Sequence, residues 1–215
     1  MKYPVNIETC WIVGLWSADR GTKAKGVVAI VNTTEELLEN FRIFSLRNFD
    51  ITKSKFRERT IRGYGESKEV YFTRLPARRF IEGLLLEREK LSKKNILAYL
   101  AGRFDGDGNV DGASSSMCYY YSHTENQDAE IDKKLIEKLG FFASIEKGKN
   151  IVRLRILQPR FFASKLLPYL KHKKKIKNSL ILMSKRPYRS ERTRPTPIVA
   201  TVFYGKQALY WDCTR

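Results

Sequence analysis

Two aspartates stand at the ends of two similar apolar segments. Trp11-Ile-Val-Gly-Leu-Trp-Ser-Ala-Asp19 reads as an apolar helix that ends in an acid, and Ala98-Tyr-Leu-Ala-Gly-Arg-Phe-Asp-Gly-Asp107 reads the same way. With Gly14 aligned on Gly102, Asp19 falls on Asp107, 88 residues later. Gly14 and Ala18 lie four apart, as do Gly102 and Gly106, so each pair shares one helix face. Small residues at that spacing let two backbones approach closely. If the two helices cross there, Asp19 and Asp107 meet at their C-terminal ends. A carboxylate is poorly placed at that end of a helix, and two of them also repel each other. Breaking the same local rule twice at equivalent positions points to a site rather than to packing. A divalent cation offsets both penalties, and a site of hard oxygen ligands with few protein contacts suits Mg²⁺. Such an ion activates a water and stabilises the leaving oxygen in phosphodiester hydrolysis. A close helix crossing alone would explain the small residues but not the acids.

The stretches after the two acids are also similar. After Asp19, Gly26-Val-Val-Ala-Ile-Val31 suits a buried strand. Thr33 and Glu36 have capping-box spacing ahead of Leu37, Leu38, Phe41 and Phe44, which recur at helical intervals. After Asp107, Ser116–Ser122 is a Tyr-rich strand candidate. Ile131, Leu135, Ile136 and Leu139 then make one helical stripe, stopped by Gly140. Each half continues with a hairpin, Lys53 to Ile61 with Glu69 to Arg74, and Ala143 to Glu146 with Ile151 to Leu157. Pro76 and Pro159 open the helices that come next, where a missing N–H is harmless. The expected architecture is α+β, with two pseudo-symmetric αββαββα halves packed through the Gly-bearing helices. The expected division is residues 1–91, residues 92–184, and a basic Pro-rich extension over 185–215. Within that extension Ile198 to Tyr204 reads as a short strand and Tyr210-Trp211 as an aromatic anchor.

The chain has 215 residues, with 41 Lys and Arg against 23 Asp and Glu, a net charge of +18. That surplus asks for a polyanionic partner, and nucleic acid is the natural one. The basic residues are spread over many segments rather than gathered on one amphipathic helix, which disfavours a membrane surface. No apolar run has spanning length, and no signal-like segment opens the chain. Cys10, Cys118 and Cys213 lack paired spacing, and two His residues cannot build a His-rich zinc centre. Asp107, Asn109 and Asp111 resemble the start of a calcium loop, but Cys118 stands where its bidentate Glu belongs.

A strand period of two places Lys53, Lys55, Arg57 and Arg59 on one face of the first hairpin, with Arg62 just beyond. Arg153 and Arg155 share a face opposite Val152, Leu154 and Ile156. Two such antiparallel basic faces would form a saddle for DNA, reading base edges with Arg and holding phosphates with the rest. An exposed sheet face guarded by Lys and Arg is the plainer account.

Leu100-Ala-Gly-Arg-Phe-Asp-Gly-Asp-Gly108 and the more divergent Ile12-Val-Gly-Leu-Trp-Ser-Ala-Asp-Arg20 resemble the paired motifs of the LAGLIDADG homing endonucleases, in their single-chain form. The first motif departs from the pattern at Ser17 and Arg20 but keeps Asp19. The resemblance runs from residue 10 to about 184. It implies a monomer that cuts one phosphodiester per strand of a long asymmetric DNA site, in the cytoplasm with genomic DNA or in an organelle. It implies Mg²⁺, as two or three divalent ions, held by Asp19, Asp107 and the carbonyls of Ala18 and Gly106. It also implies a pocket lysine from the basic segment Leu167–Asn178. Lys173 is the matching position, Lys171 the next, and Lys90 a first-half counterpart. Lys171 is also a candidate DNA contact. The other functions this scaffold implies are an RNA maturase, with intron RNA as partner, and a DNA-binding regulator that does not cut.

Overall fold

The computed structural model describes residues 3–22, 24–61, 66–111, 116–122, 126–148 and 151–185. Arg62, residues 112–115 and the whole 186–215 extension, with its expected strand and Tyr210-Trp211 anchor, lie outside the described residues. Met1–Lys185 form one unit.

The first half runs α1 (Ile7–Ala18), β1 (Val27–Asn32), α2 (Glu35–Asn48), β2 (Arg57–Ile61), β3 (Ser67–Thr73) and α3 (Leu75–Leu86). The second runs α4 (Lys93–Asp107), β4 (Gly108–Asp111), β5 (Ser116–Ser122), α5 (Asn126–Lys138), β6 (Ala143–Lys147), β7 (Ile151–Ile156), α6 (Pro159–Leu166) and α7 (Lys173–Ser184). Both sheets are antiparallel, in the orders β1-β3-β2 and β4-β5-β7-β6. The expected duplication is present, with two asymmetries. α7 has no helix of matching length in the first half. The strand directly after the acid is β4 in the second half, but in the first it shrinks to a single bridge between Arg20 and Ile30. Because Gly108 to Asp111 pair with β5, they extend as a strand rather than coil as a calcium loop.

Local chemistry sets the element ends. Asn6 caps α1 by accepting from the Thr9 N–H (2.9 Å) while its own N–H donates to Thr9 Oγ1 (3.0 Å). Pro76 and Pro159 occupy first-turn positions of α3 and α6, as expected. Gly140 adopts φ +88° past the end of α5, and the Phe141 N–H closes back on the Ile136 carbonyl (3.1 Å). An L side chain would be strained there.

Two expectations need correction. The box from Thr33 to Glu36 does not form. Thr34 is the N-cap of α2 and makes no side-chain cap: the Leu37 N–H goes to the Thr34 carbonyl (3.0 Å), Asn32 Oδ1 takes the Thr34 N–H (2.7 Å), and Glu36 reaches across to the second half. The first hairpin strand does not start at Lys53. Lys53–Lys55 form a 3-10 turn that drives Phe56 inward onto Phe41 and Phe72, and pairing begins only at Arg57 opposite Tyr71. Lys53 and Lys55 therefore do not share the strand face of Arg57 and Arg59.

Each sheet buries one face on helices. In the first half Val28, Ile30, Val70 and Phe72 meet Leu37, Leu38, Phe41 and Phe49. In the second, Val152, Leu154 and Ile156 alternate with Arg153 and Arg155, and the apolar set joins Leu135, Ile136 and Phe162. Burying each large apolar side chain contributes ~1.5–3 kcal/mol, so these two layers hold the halves rigid around α1 and α4. No helix of the described residues is long and apolar enough to cross a membrane.

Candidate active site and nucleic-acid interface

The two motif helices cross at their glycines. A Cβ on Gly14 would lie 2.0 Å from the Tyr99 carbonyl oxygen and 2.8 Å from the Arg103 nitrogen. One on Gly102 would lie 2.1 Å from the Trp11 carbonyl oxygen and 2.8 Å from the Leu15 nitrogen. Trp11 and Tyr99, and Leu15 and Arg103, are equivalent positions, so the crossing has two-fold symmetry. Further along, Gly106 packs against Ala18 and the Asp19 carboxylate, which brings both acids to one pocket.

Asp19 is the C-cap of α1. Its Oδ2 accepts from Asn32 Nδ2 at 2.7 Å, and Asn32 is steadied by the bond from the Thr34 N–H. Burial pushes the Asp19 carboxyl up to about 6, against the opposing pull of Asn32, Lys175 and Arg103. Asp107 ends α4 with its side chain 32% exposed, and the Arg103 guanidinium stands 3.8 Å from it. The acids are thus placed alike by the fold but not alike in surroundings.

The lysine in the pocket is Lys175, not Lys173. Lys175 Nζ donates to the carbonyls of Phe104 (2.7 Å), Asp105 (2.7 Å) and Gly106 (2.8 Å) at the end of α4. Burial lowers its ammonium to about 8, while Asp105, Asp19 and Asp107 pull the other way. Lys173 is 87% exposed and lies beside Glu36 on the surface, 3.5 Å away. The cause is helix geometry: two residues turn α7 through about 200°, so Lys173 and Lys175 face opposite sides. Lys171 also stays out of the pocket, with its ammonium 5.7 Å from the Phe44 ring. Lys90 is exposed and paired with Glu87.

Asp105 explains why α7 arrives where it does. Its carboxylate is buried and accepts from Trp11 Nε1 (2.8 Å) and from the backbone N–H of Lys171 (2.8 Å) and His172 (3.1 Å). It thereby ties the segment leading into α7 to both motif helices. Burial raises it to about 6 despite these donors. Ser17 holds the equivalent place in the first motif and accepts from Arg103 Nη1 at 3.2 Å. Arg103 is 1% exposed and faces Asp132 at 3.4 Å, which also receives the Tyr99 hydroxyl at 3.0 Å. Arg88 approaches the same carboxylate at 3.7 Å. This buried network has no counterpart around α1, since Leu15 stands where Arg103 would be.

On the sheets, Arg57 donates to the Ser54 and Phe56 carbonyls, and Arg59 pairs with Glu69. Arg155 and Arg153 lean on Glu146 at 2.8 and 3.8 Å. Each sheet therefore interleaves arginines with carboxylates on the face away from its helices.

The periodicity of α7 carries the signal for Lys175. Lys175, Ser179 and Leu182 recur at helical spacing, and the last two are buried. Asn32, Arg103 and Asp132 bear no comparable mark in the sequence.

Residues 94–163 match the LAGLIDADG-like domain family, and the chain shares its fold with solved homing endonuclease structures. A structure of mesophilic variants of the homing endonuclease I-DmoI superposes with a TM-score of 0.61 at 18% identity, over 76% of this chain and 97% of that one. The homing endonuclease I-WcaI bound to its DNA recognition sequence gives 0.56 at 16% identity, over 79% and 85%. Full-length DUF199/WhiA from Thermatoga maritima gives 0.57 at 11% identity, over 87% of this chain and 64% of that one. A search of curated proteins finds no match.

Proposed function

We propose that this protein is a site-specific endonuclease that recognises a long asymmetric stretch of double-stranded DNA. It hydrolyses one phosphodiester in each strand with the help of Mg²⁺. The observation that carries this reading is the grouping of Asp19, Asp107 and Lys175 at the adjoining C-terminal ends of α1 and α4.

The donor set fits a hard divalent cation. Two carboxylates and the backbone carbonyl of Ala18 are oxygen donors, and the Gly106 carbonyl, which accepts from Lys175, has a second lone pair. Among the described residues, no group of three or more His, Cys, Asp or Glu forms a closed metal cage. Water and phosphate oxygens would then complete the shell, which is how Mg²⁺ is commonly held. A bound cation would supply a hydroxide nucleophile and neutralise charge on the departing oxygen. The chain's own part is positional. Asn32 holds the Asp19 carboxylate, Asp105 holds the start of α7, and Lys175 presents a cation to phosphate charge. I-DmoI has been crystallised with its DNA in the presence of Ca, Mg or Mn, which supports a divalent ion of this kind here. Those complexes and that of I-WcaI hold DNA, which supports DNA rather than RNA as the partner.

The test is a binding selection on duplexes with a randomised core, followed by titration against salt. Recovery of one asymmetric consensus, with affinity falling steeply as salt rises, is the expected result. Recovery of no consensus would refute site-specific recognition.

A further inference from the structure

The first sheet carries a buried acid on the face that would meet DNA. Alternation along β3 sends Val70 and Phe72 to the helices and Glu69 to the opposite side, directly across from Arg59. The Glu69 side chain is 1% exposed. Its Oε1 accepts from the Thr22 N–H (2.6 Å) and the Thr22 hydroxyl (2.7 Å), and its Oε2 accepts from Arg59 Nε. Arg59 Nη2 closes the ring by donating to Thr22 Oγ1 at 2.6 Å. Gly21 permits this packing, since a Cβ there would lie 2.4 Å from Glu69 Oε1. The Arg59 side chain nonetheless stays 57% exposed.

A carboxylate on a DNA-facing surface repels phosphate, so its presence needs a reason. Glu146 on the second sheet is 45% exposed, and its arginines can leave it for DNA at little cost. Arg59 cannot leave Glu69 in the same way, because a buried charge would lose its counter-charge. Arg59 must therefore act from the pose in which it is held. Among the described residues, two of its five N–H donors are engaged by Glu69 and Thr22. A guanidinium fixed at one edge and exposed at the other is pre-organised for two parallel hydrogen bonds.

We propose that Arg59 is a specificity-determining residue that reads one guanine in the major groove, held in its reading pose by Glu69 and Thr22. This rests on the endonuclease reading above. Thr22 is three residues beyond Asp19, a reach of at most ~11 Å. The guanine is then placed within about six base pairs of the cleavage centre, on the first half's side, at a rise of about 3.4 Å per pair.

The experiment is to determine base preference at every position of the selected site, without divalent metal. It compares the wild type with Arg59→Lys, Glu69→Gln and Thr22→Val. Arg59→Lys keeps a charge beside Glu69 but cannot offer two parallel donors. The expected result is a guanine preference at one position near the centre. It should fall about 5- to 100-fold in Arg59→Lys and less in the other two, with the remaining profile unchanged. Thermal melting confirms folding, and Thr22→Val carries the test if Glu69→Gln melts below the assay temperature. An unaltered profile in Arg59→Lys, or an even loss across all sequences as for a phosphate contact, would overturn the inference alone. A wild type that selects no sequence would overturn the endonuclease reading with it.

Discussion

Lys175 and Gly106 are joined by a 2.8 Å hydrogen bond from ammonium to carbonyl, at the turn of α4 that delivers Asp107. The same ammonium takes the two preceding carbonyls, so it caps the negative end of the helix dipole beside both acids. Lys175 therefore offsets the carboxylates in the folded chain, and under the proposed function its positive charge would also face the phosphate.

Replacing it separates those roles from DNA binding. Lys175→Met should lower the single-turnover cleavage rate at least ~100-fold, the scale for losing one placed electrostatic group. Affinity for the target should change by less than about fivefold, since the proposed function assigns binding to the sheets. Rate and affinity measured on the same duplex check this.

Asp19 should cost stability in the absence of metal. Its carboxyl is raised from 3.8 to about 6 by burial, so folding favours the protonated form. That contribution is fully present below about pH 4 and is lost as pH rises through 6. Asp19→Asn removes the penalty, so at pH 7.5 the variant should be more stable by ~1–3 kcal/mol. The difference should vanish toward pH 4. Mg²⁺ should raise the melting temperature of the wild type more than that of the variant. Melting curves across pH, with and without Mg²⁺, test all three statements.

The helix crossing leaves no room for a methyl group. Gly14→Ala or Gly102→Ala puts a Cβ within about 2 Å of a backbone oxygen on the partner helix, which backbone cannot relieve by a rotamer change. Each should destabilise by ~3 kcal/mol or more. Gly83 is the control. Nothing lies within 4 Å of a Cβ there, in the interior of α3, so Gly83→Ala should stabilise by ~0.5–1 kcal/mol. Urea unfolding of the three variants gives the comparison.

The duplication is legible in the sequence because the 88-residue offset places like residues at like positions, and the Gly14 and Gly102 contacts repeat it atom for atom. Alternating burial on β7 is legible for the same reason: a period of two separates Arg153 and Arg155 from their apolar neighbours. Lys173 passes for the pocket lysine because a run of basic residues hides the phase of α7, which only Ser179 and Leu182 reveal. The turn at Lys53 has no local signature, because Phe56 must reach Phe41 and Phe72, a demand of the tertiary core. The Arg103–Asp132 pair and the Asn32 brace on Asp19 join distant stretches of chain. No spacing rule announces such partners.

Under the proposed function Asp19 and Asp107 act together to cut DNA at the C-terminal ends of α1 and α4. The direct measurement incubates a plasmid bearing the selected site with Mg²⁺ and the wild type, Asp19→Asn, Asp107→Asn or the double variant, and scores nicked and linear products. Discrete double-strand cleavage by the wild type is expected, with no linear product from any of the three variants although each still binds the site. Linear product at wild-type rate from either single variant would contradict that function.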